Sequence, residues 1–65
     1  MTEQERIGKR IAEIRKEQGL SQALLSKKAN IDLGYIAKIE LGRHSPGIKI
    51  LSKIAKSLGK TIDFV

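Results

Sequence analysis

Apolar residues recur along this chain at helical spacing, in blocks separated by glycine, asparagine or proline. Ile7, Ile11 and Ile14 stand at i, i+4 and i+7 and make one apolar stripe. Thr2 and Glu5 ahead of them have the spacing of a capping box, which predicts a helix from Glu3. Gly19, followed by the apolar Leu20, predicts its end. Gly8 lowers the stability of that helix, and close packing of another helix would explain it. The stretch Gln22–Leu41 then reads as two short helices joined by a tight turn. Ser21 caps the first, and Leu25 and Ala29 share one of its faces. Asn30 is the expected break, because asparagine enters the left-handed region more easily than most residues. Ile31 follows as an apolar plug, Asp32 caps the second short helix, and Gly42 ends it. After a loop over Gly42–Ser45, Ser45 and Pro46 predict a cap and a first helical residue. The helix that follows carries Ile48, Leu51, Ile54, Ala55 and Leu58 on one broad face, leaves Ile50 at its edge, and stops at Gly59. Thr61–Val65 alternates with Ile62 and Phe64 on one side, which predicts a short strand.

Helices this short do not stand alone in water, so their apolar faces must cover one another. The apolar set is aliphatic, with ten Ile, seven Leu and five Ala against one Tyr and one Phe, which fits a compact helical bundle. A chain of 65 residues makes one small domain, and one that size buries only about 60% of its unfolded surface. There is no Cys, hence neither a disulfide nor a thiolate metal site. No apolar run reaches the ~18 residues of a membrane span, and the N-terminus lacks the apolar core of a signal peptide. The expected location is the cytoplasm.

The net charge is +6, and its placement matters more than its size. Residues 1–20 hold five basic and four acidic groups, whereas residues 21–60 hold eight basic and two acidic ones. The excess therefore sits on the two short helices and the segment after them. Such a surface suits a polyanion, although charge alone fits a Lys-rich solvated surface equally well.

The residues that settle the reading are IGKRIAEIRKEQGLSQ, KKANI, YIAKIELGR and SPGIKILSKIAKSLG. Together they resemble the phage repressor and Cro-type helix-turn-helix family, also called the Xre family, from roughly Ile7 to Gly59. The resemblance implies a compact all-α, lambda-repressor-like domain of four to five helices over residues 1–65, with the helix-turn-helix at 22–41. The chain departs from the family pattern at four places. Asn30 stands where the turn is usually Gly, and Ser26 where a small Ala is usual. Ala23 and Leu24 replace common acidic residues, and Leu33 and Gly34 replace frequent polar base-readers.

What the resemblance implies about binding can be carried onto individual positions. With Ile36 and Ile39 pointing inward, Gly34, Lys38 and Leu41 point outward and Ala37 lies at the flank. In the family this outward surface enters the major groove of double-stranded DNA. Lys38 would donate to guanine O6 and N7 or to a phosphate, Leu33 and Ala37 would touch thymine methyls, and Gly34 would allow close backbone approach. Ser21 and Gln22 open the first helix of the motif, where matching residues meet a phosphate or a base edge. Tyr35 would either pack with its hydroxyl on a phosphate or pack only. Arg43 matches a phosphate contact, and His44 beside it reads as a solvent-exposed loop residue with no second ligand for a metal. Arg15 and Glu40 lie at the edges of facing apolar stripes, and the matching family positions hold an ion pair.

The sequence offers no nucleophile–base pair and no glycine-rich phosphate loop, so no enzyme and no cofactor are expected. The expected function is a sequence-specific transcriptional regulator, a repressor on a palindromic operator, acting as a homodimer in the nucleoid. An antitoxin-type regulator with a toxin partner is a variant, and a helical protein-interaction adaptor is the alternative of another class. A lone C-terminal strand would have no partner in a helical chain. The expected dimer therefore pairs two tails, with Ile50, Ile62, Phe64 and Val65 at the interface and two recognition helices about 34 Å apart. Packing of the tail on its own domain is the alternative.

Overall fold

Four residues in the left-handed region divide the chain: Gly19, Asn30, Gly42 and Gly59, with φ of 71, 56, 75 and 69°. Between them the computed structural model, which describes residues 1–64, holds four α-helices. These are α1 (Glu3–Glu17), α2 (Gln22–Ala29), α3 (Leu33–Glu40) and α4 (Ile48–Ser57). Each helix stops with the same pair of bonds. The left-handed residue donates its amide three residues back, and the next amide reaches five back, as in Leu20 to Arg15, Ile31 to Ser26, Arg43 to Lys38 and Lys60 to Ala55. The final carbonyls of every helix are thus satisfied by the chain that leaves it.

The helix starts are as local as the stops. The Thr2 hydroxyl accepts the Glu5 amide at 3.1 Å, and the Glu5 carboxylate accepts the Thr2 amide at 2.8 Å. The Thr2 amide, with the Thr2 side chain beside it, holds the Glu5 carboxyl below its ordinary pKa. The Ser21 hydroxyl accepts the Leu24 amide at 3.0 Å, and an Asp32 oxygen accepts the Tyr35 amide at 3.3 Å. In the α2–α3 turn the Ser26 hydroxyl also donates to the Ile31 carbonyl, closing the turn from both sides. Ile31 is buried there as the plug between the two helices.

All four helices and the turn contribute to one aliphatic core: Ile11 and Ile14 from α1, Leu25 and Ala29 from α2, Ile31 from the turn, Ile36 and Ile39 from α3, and Leu51, Ile54 and Leu58 on the α4 side. Helix α3 packs on α1 and on α2, and α2 also packs on α4. Gln18, at the end of α1, donates to the Leu58 carbonyl at 2.7 Å and ties α1 to the end of α4. The closest approach is at Gly8. A Cβ there would lie 2.1 Å from the Ile39 carbonyl oxygen and 3.0 Å from that of Glu40. The unfavourable glycine in α1 is the opening into which the end of α3 fits.

Three expectations are corrected. Helix α4 begins at Ile48 with Gly47 as its cap; Ser45 and Pro46 precede it in the loop. Gly47 is extended (φ −69°, ψ 168°), and its carbonyl accepts the first helical bond, from Leu51 at 2.9 Å. Ile48 is 72% exposed, whereas Ile50 packs against the core. The two lie on opposite edges of the α4 stripe, Ile48 in the row of the exposed Ser52 and Lys56 and Ile50 in the row of the buried Ile54 and Leu58, and the core covers the Ile50 edge. Among its described residues the tail does not form a strand. Ile62–Phe64 makes a single 3-10 turn packed on α4, and Ile62 joins the edge of the core. A local turn, with the Thr61 hydroxyl bonded to the Asp63 carboxylate, needs no second strand. Of the residues expected at a tail-paired interface, Ile50 and Ile62 therefore pack on their own chain. Val65 and the side chain of Phe64 lie outside the described residues.

The Gly8 contact gives a direct test of this packing. Gly8→Ala should destabilise the fold by ~1–3 kcal/mol or more, since a backbone carbonyl must move to admit the methyl. Gly47→Ala, where a Cβ meets nothing within 4 Å at a negative φ, should stay within ~1 kcal/mol of the parent chain. Urea unfolding of the two variants side by side measures both.

Candidate nucleic-acid interface

The candidate interface is built around a buried ion pair. Arg15 leaves the core stripe of α1 one residue after Ile14 and reaches the end of α3. Its Nε donates to Glu40 Oε2 at 2.7 Å, its second nitrogen to Glu40 Oε1 at 2.9 Å, and its third to the Leu20 carbonyl at 2.8 Å. The side chains of Arg15 and Glu40 are only 9% and 6% exposed. The hydrogen bonds to Glu40 hold the guanidinium above its ordinary pKa. Gln22, the first residue of α2, donates its amide nitrogen to the same Glu40 oxygen at 3.0 Å. One carboxylate thus gathers the end of α1, the start of α2 and the end of α3.

This cluster sets the orientation and the charge of the outer surface. Residues 21–60 contain two acids. Glu40 is neutralised inside by Arg15, and Asp32 is spent on the α3 cap. The basic groups outside on α2, α3 and the following loop are Lys27, Lys28, Lys38 and Arg43, all exposed, with Asp32 at the α3 cap as the exposed acid among them. The start of α2 adds oriented amides of the kind that bind anions.

Along α3 the accessible residues fall on one side. Leu33, Gly34 and Lys38 are exposed, Ala37 is half-buried, and Leu41 at the end of the helix is exposed. Ile36 and Ile39 face the core. Ser21 is exposed at the start of α2, with its hydroxyl engaged by the Leu24 amide. Tyr35 is half-buried against the core, and its ring meets the edge of His44, centroids 4.7 Å apart and planes at 78°. His44 is exposed in the loop, so this contact steadies the loop that also carries Arg43. Sequence reasoning missed the Gln22–Glu40 bond, the Leu20 carbonyl as a partner of Arg15, and the Tyr35–His44 contact. The first had a faint signal, a donor at the start of one helix and a buried acid at the end of the next; the other two had none. Among the described residues no group of three or more His, Cys, Asp or Glu side chains could hold a metal ion, and no helix is long and apolar enough to cross a membrane.

A cap, a short helix, a tight turn closed by a buried Ile, and a second helix with one open basic face define a helix-turn-helix unit. The HTH_3 family, described as helix-turn-helix, matches residues 11–65, and the chain belongs to that family. It is 43% identical over 53 residues to the immunity repressor protein of Bacillus phage phi105, covering 82% of this chain and 37% of that protein. It is 38% identical over 55 residues to the HTH-type transcriptional regulator PuuR of Escherichia coli strain K12, covering 85% of this chain and 30% of that one. The chain thus spans about a third of the length of these relatives. Among solved structures, the restriction-modification controller protein C.AhdI from Aeromonas hydrophila superposes with a TM-score of 0.91 at 26% identity, over 94% of this chain and 92% of that one. The controller protein C.Esp1396I gives 0.87 at 34% identity, over 94% and 80%. The chain is a helix-turn-helix domain of the class that transcriptional regulators carry.

Removing both members of the buried pair should cost less than the two single removals added together. Arg15→Met strands the Glu40 carboxylate and should cost ~3–5 kcal/mol; Arg15→Met with Glu40→Met should cost clearly less than the sum of the two single changes. A double-mutant cycle in urea reads this.

Proposed function

We propose that this chain is the DNA-binding part of a transcriptional repressor, and that it occupies a two-fold-symmetric operator as a homodimer. The observation that carries the reading is the open side of α3, whose outer rows hold Lys38 and no acid, with Asp32 exposed at the cap of the helix, oriented by the Arg15–Glu40–Gln22 cluster. A helix about 10–12 Å across fits the B-DNA major groove. Lys38 stands mid-face and reaches base edges, while Arg43, in the loop after α3, meets the phosphate backbone. Ser21 and Gln22 bring the start of α2 to the adjacent backbone. Tyr35 acts through packing on His44 and keeps that loop in register. The repressor role draws support from the immunity repressor relative. For pairing of two copies, Ile48 at the start of α4 offers exposed apolar surface away from α3. Two copies would then place their α3 helices on half-sites about 34 Å apart.

Lys38 and Arg43 separate specificity from affinity. On a duplex carrying two half-sites one helical turn apart, Arg43→Ala should weaken specific and random DNA alike and lower the salt slope by about one. Lys38→Ala should change discrimination at one base pair per half-site by ~1–3 kcal/mol. The parent chain should bind this duplex with a steeper concentration dependence than a duplex with one half-site. Equal losses on specific and random DNA for both variants, or identical curves on the two duplexes, would contradict the assignment.

A further inference from the structure

Leu33, Ala37 and Leu41 stand at i, i+4 and i+8 and form one row along the open side of α3, with Gly34 and Lys38 as the neighbouring row. Leu33 is 45% exposed and Leu41 63%. Leucines exposed to this degree within one row form an apolar ridge on the same face that the basic charge surrounds. Hydrogen-bonding capacity on that face is small. At the helix starts beside it, the Ser21 hydroxyl accepts the Leu24 amide, Gln22 donates to Glu40, and Asp32 accepts the Tyr35 amide, which ties up part of the capacity of each. Along the two outer rows of α3 themselves Lys38 alone carries a polar side chain, an ammonium that donates and does not accept. A face so poor in donors and acceptors has little means of reading bases by hydrogen bonds.

We infer that this face recognises its operator chiefly through the 5-methyl groups of thymine, which the Leu33–Ala37–Leu41 ridge covers in the major groove. The inference rests on the DNA-binding reading above and names the class of site that reading requires. Thymine is the one base that shows a methyl in the major groove, so apolar contact distinguishes it from cytosine without a hydrogen bond. Gly34, having no side chain, lets the ridge lie close to the bases. From Leu33 to Leu41 the helix rises about 12 Å, which spans about three to four base steps at 3.4 Å. The preferred half-site is therefore a short run rich in thymine on the contacted strand, with Lys38 adding one guanine or thymine acceptor beside it. Removal of methyl groups from water is not a counterion effect. Its share of selectivity should persist at salt concentrations that weaken total binding.

The test uses the 65-residue chain and a random duplex pool. Duplexes enriched by binding are resynthesised with deoxyuridine replacing each thymine in turn, which deletes the methyl and keeps every pairing and hydrogen-bonding group. Binding should weaken roughly fourfold at each contacted thymine, by the same ratio at low and high salt. Leu33→Ala and Leu41→Ala, both exposed and so expected to fold, should each erase the penalty at its own position. The inference alone is overturned if deoxyuridine binds like thymine at every position, if the enriched half-sites lack thymine, or if the penalties survive unchanged in both leucine variants. If the pool yields no enriched duplex, the DNA-binding reading itself is overturned and the inference with it.

Discussion

The surface of this domain depends on one buried carboxylate. Glu40 ends α3 inside the protein, where an unpaired charge is costly to bury. Arg15 meets it with two parallel bonds, and its third nitrogen closes the exit from α1 at Leu20. Gln22 fixes the start of α2 to the same oxygen. Three chain segments distant in sequence are thereby held to one point by directional bonds. Aliphatic packing alone specifies orientation less sharply, because it is non-directional. The approach of α3 to Gly8 sits beside this point, so steric fit and the ion pair constrain the same end of the same helix.

Neutralising Glu40 inside has a consequence outside. The half of the chain richest in lysine presents a mainly positive surface on α2, α3 and the loop, while the outer row of α3 is apolar rather than polar. On the reading proposed above, the basic surroundings would attract a polyanion without regard to sequence, and the central row would supply what discriminates. Family membership places this division of labour on a helix-turn-helix frame shared with the repressor and controller proteins the chain resembles.

What was legible in the sequence was mostly local. The Thr2–Glu5 box, the Ser21 and Asp32 caps and the four helix stops are set by residues within five positions of one another, so residue type and spacing sufficed. The helical wheel also placed Arg15 and Glu40 at the edges of facing stripes, and they meet. Misreadings arose where the outcome depended on neighbours from elsewhere in the chain. The Ser45-Pro46 pair looks like a helix start, yet Gly47 takes the cap. Ile48 and Ile50 flank the α4 stripe nearly symmetrically, and which of them is covered is decided by what packs opposite. The alternating tail has strand propensity, but without a partner strand its backbone closes on itself in a 3-10 turn. The engagement of Gln22 by Glu40, which removes a donor from the interface, required the fold to be seen.

The central claim is that the open side of α3, together with the start of α2 and the Gly42–His44 loop, is the surface that meets DNA. Backbone amide shifts of the labelled chain, followed as a duplex from the enriched pool is added, test it most directly. The account predicts shifts at Ser21–Leu24, Leu33–Lys38 and Leu41–His44, with the buried amides of Ile11 and Ile54 unmoved. Shifts confined to α4, around Lys49, Lys53 and Lys56, with α3 unchanged, would contradict it.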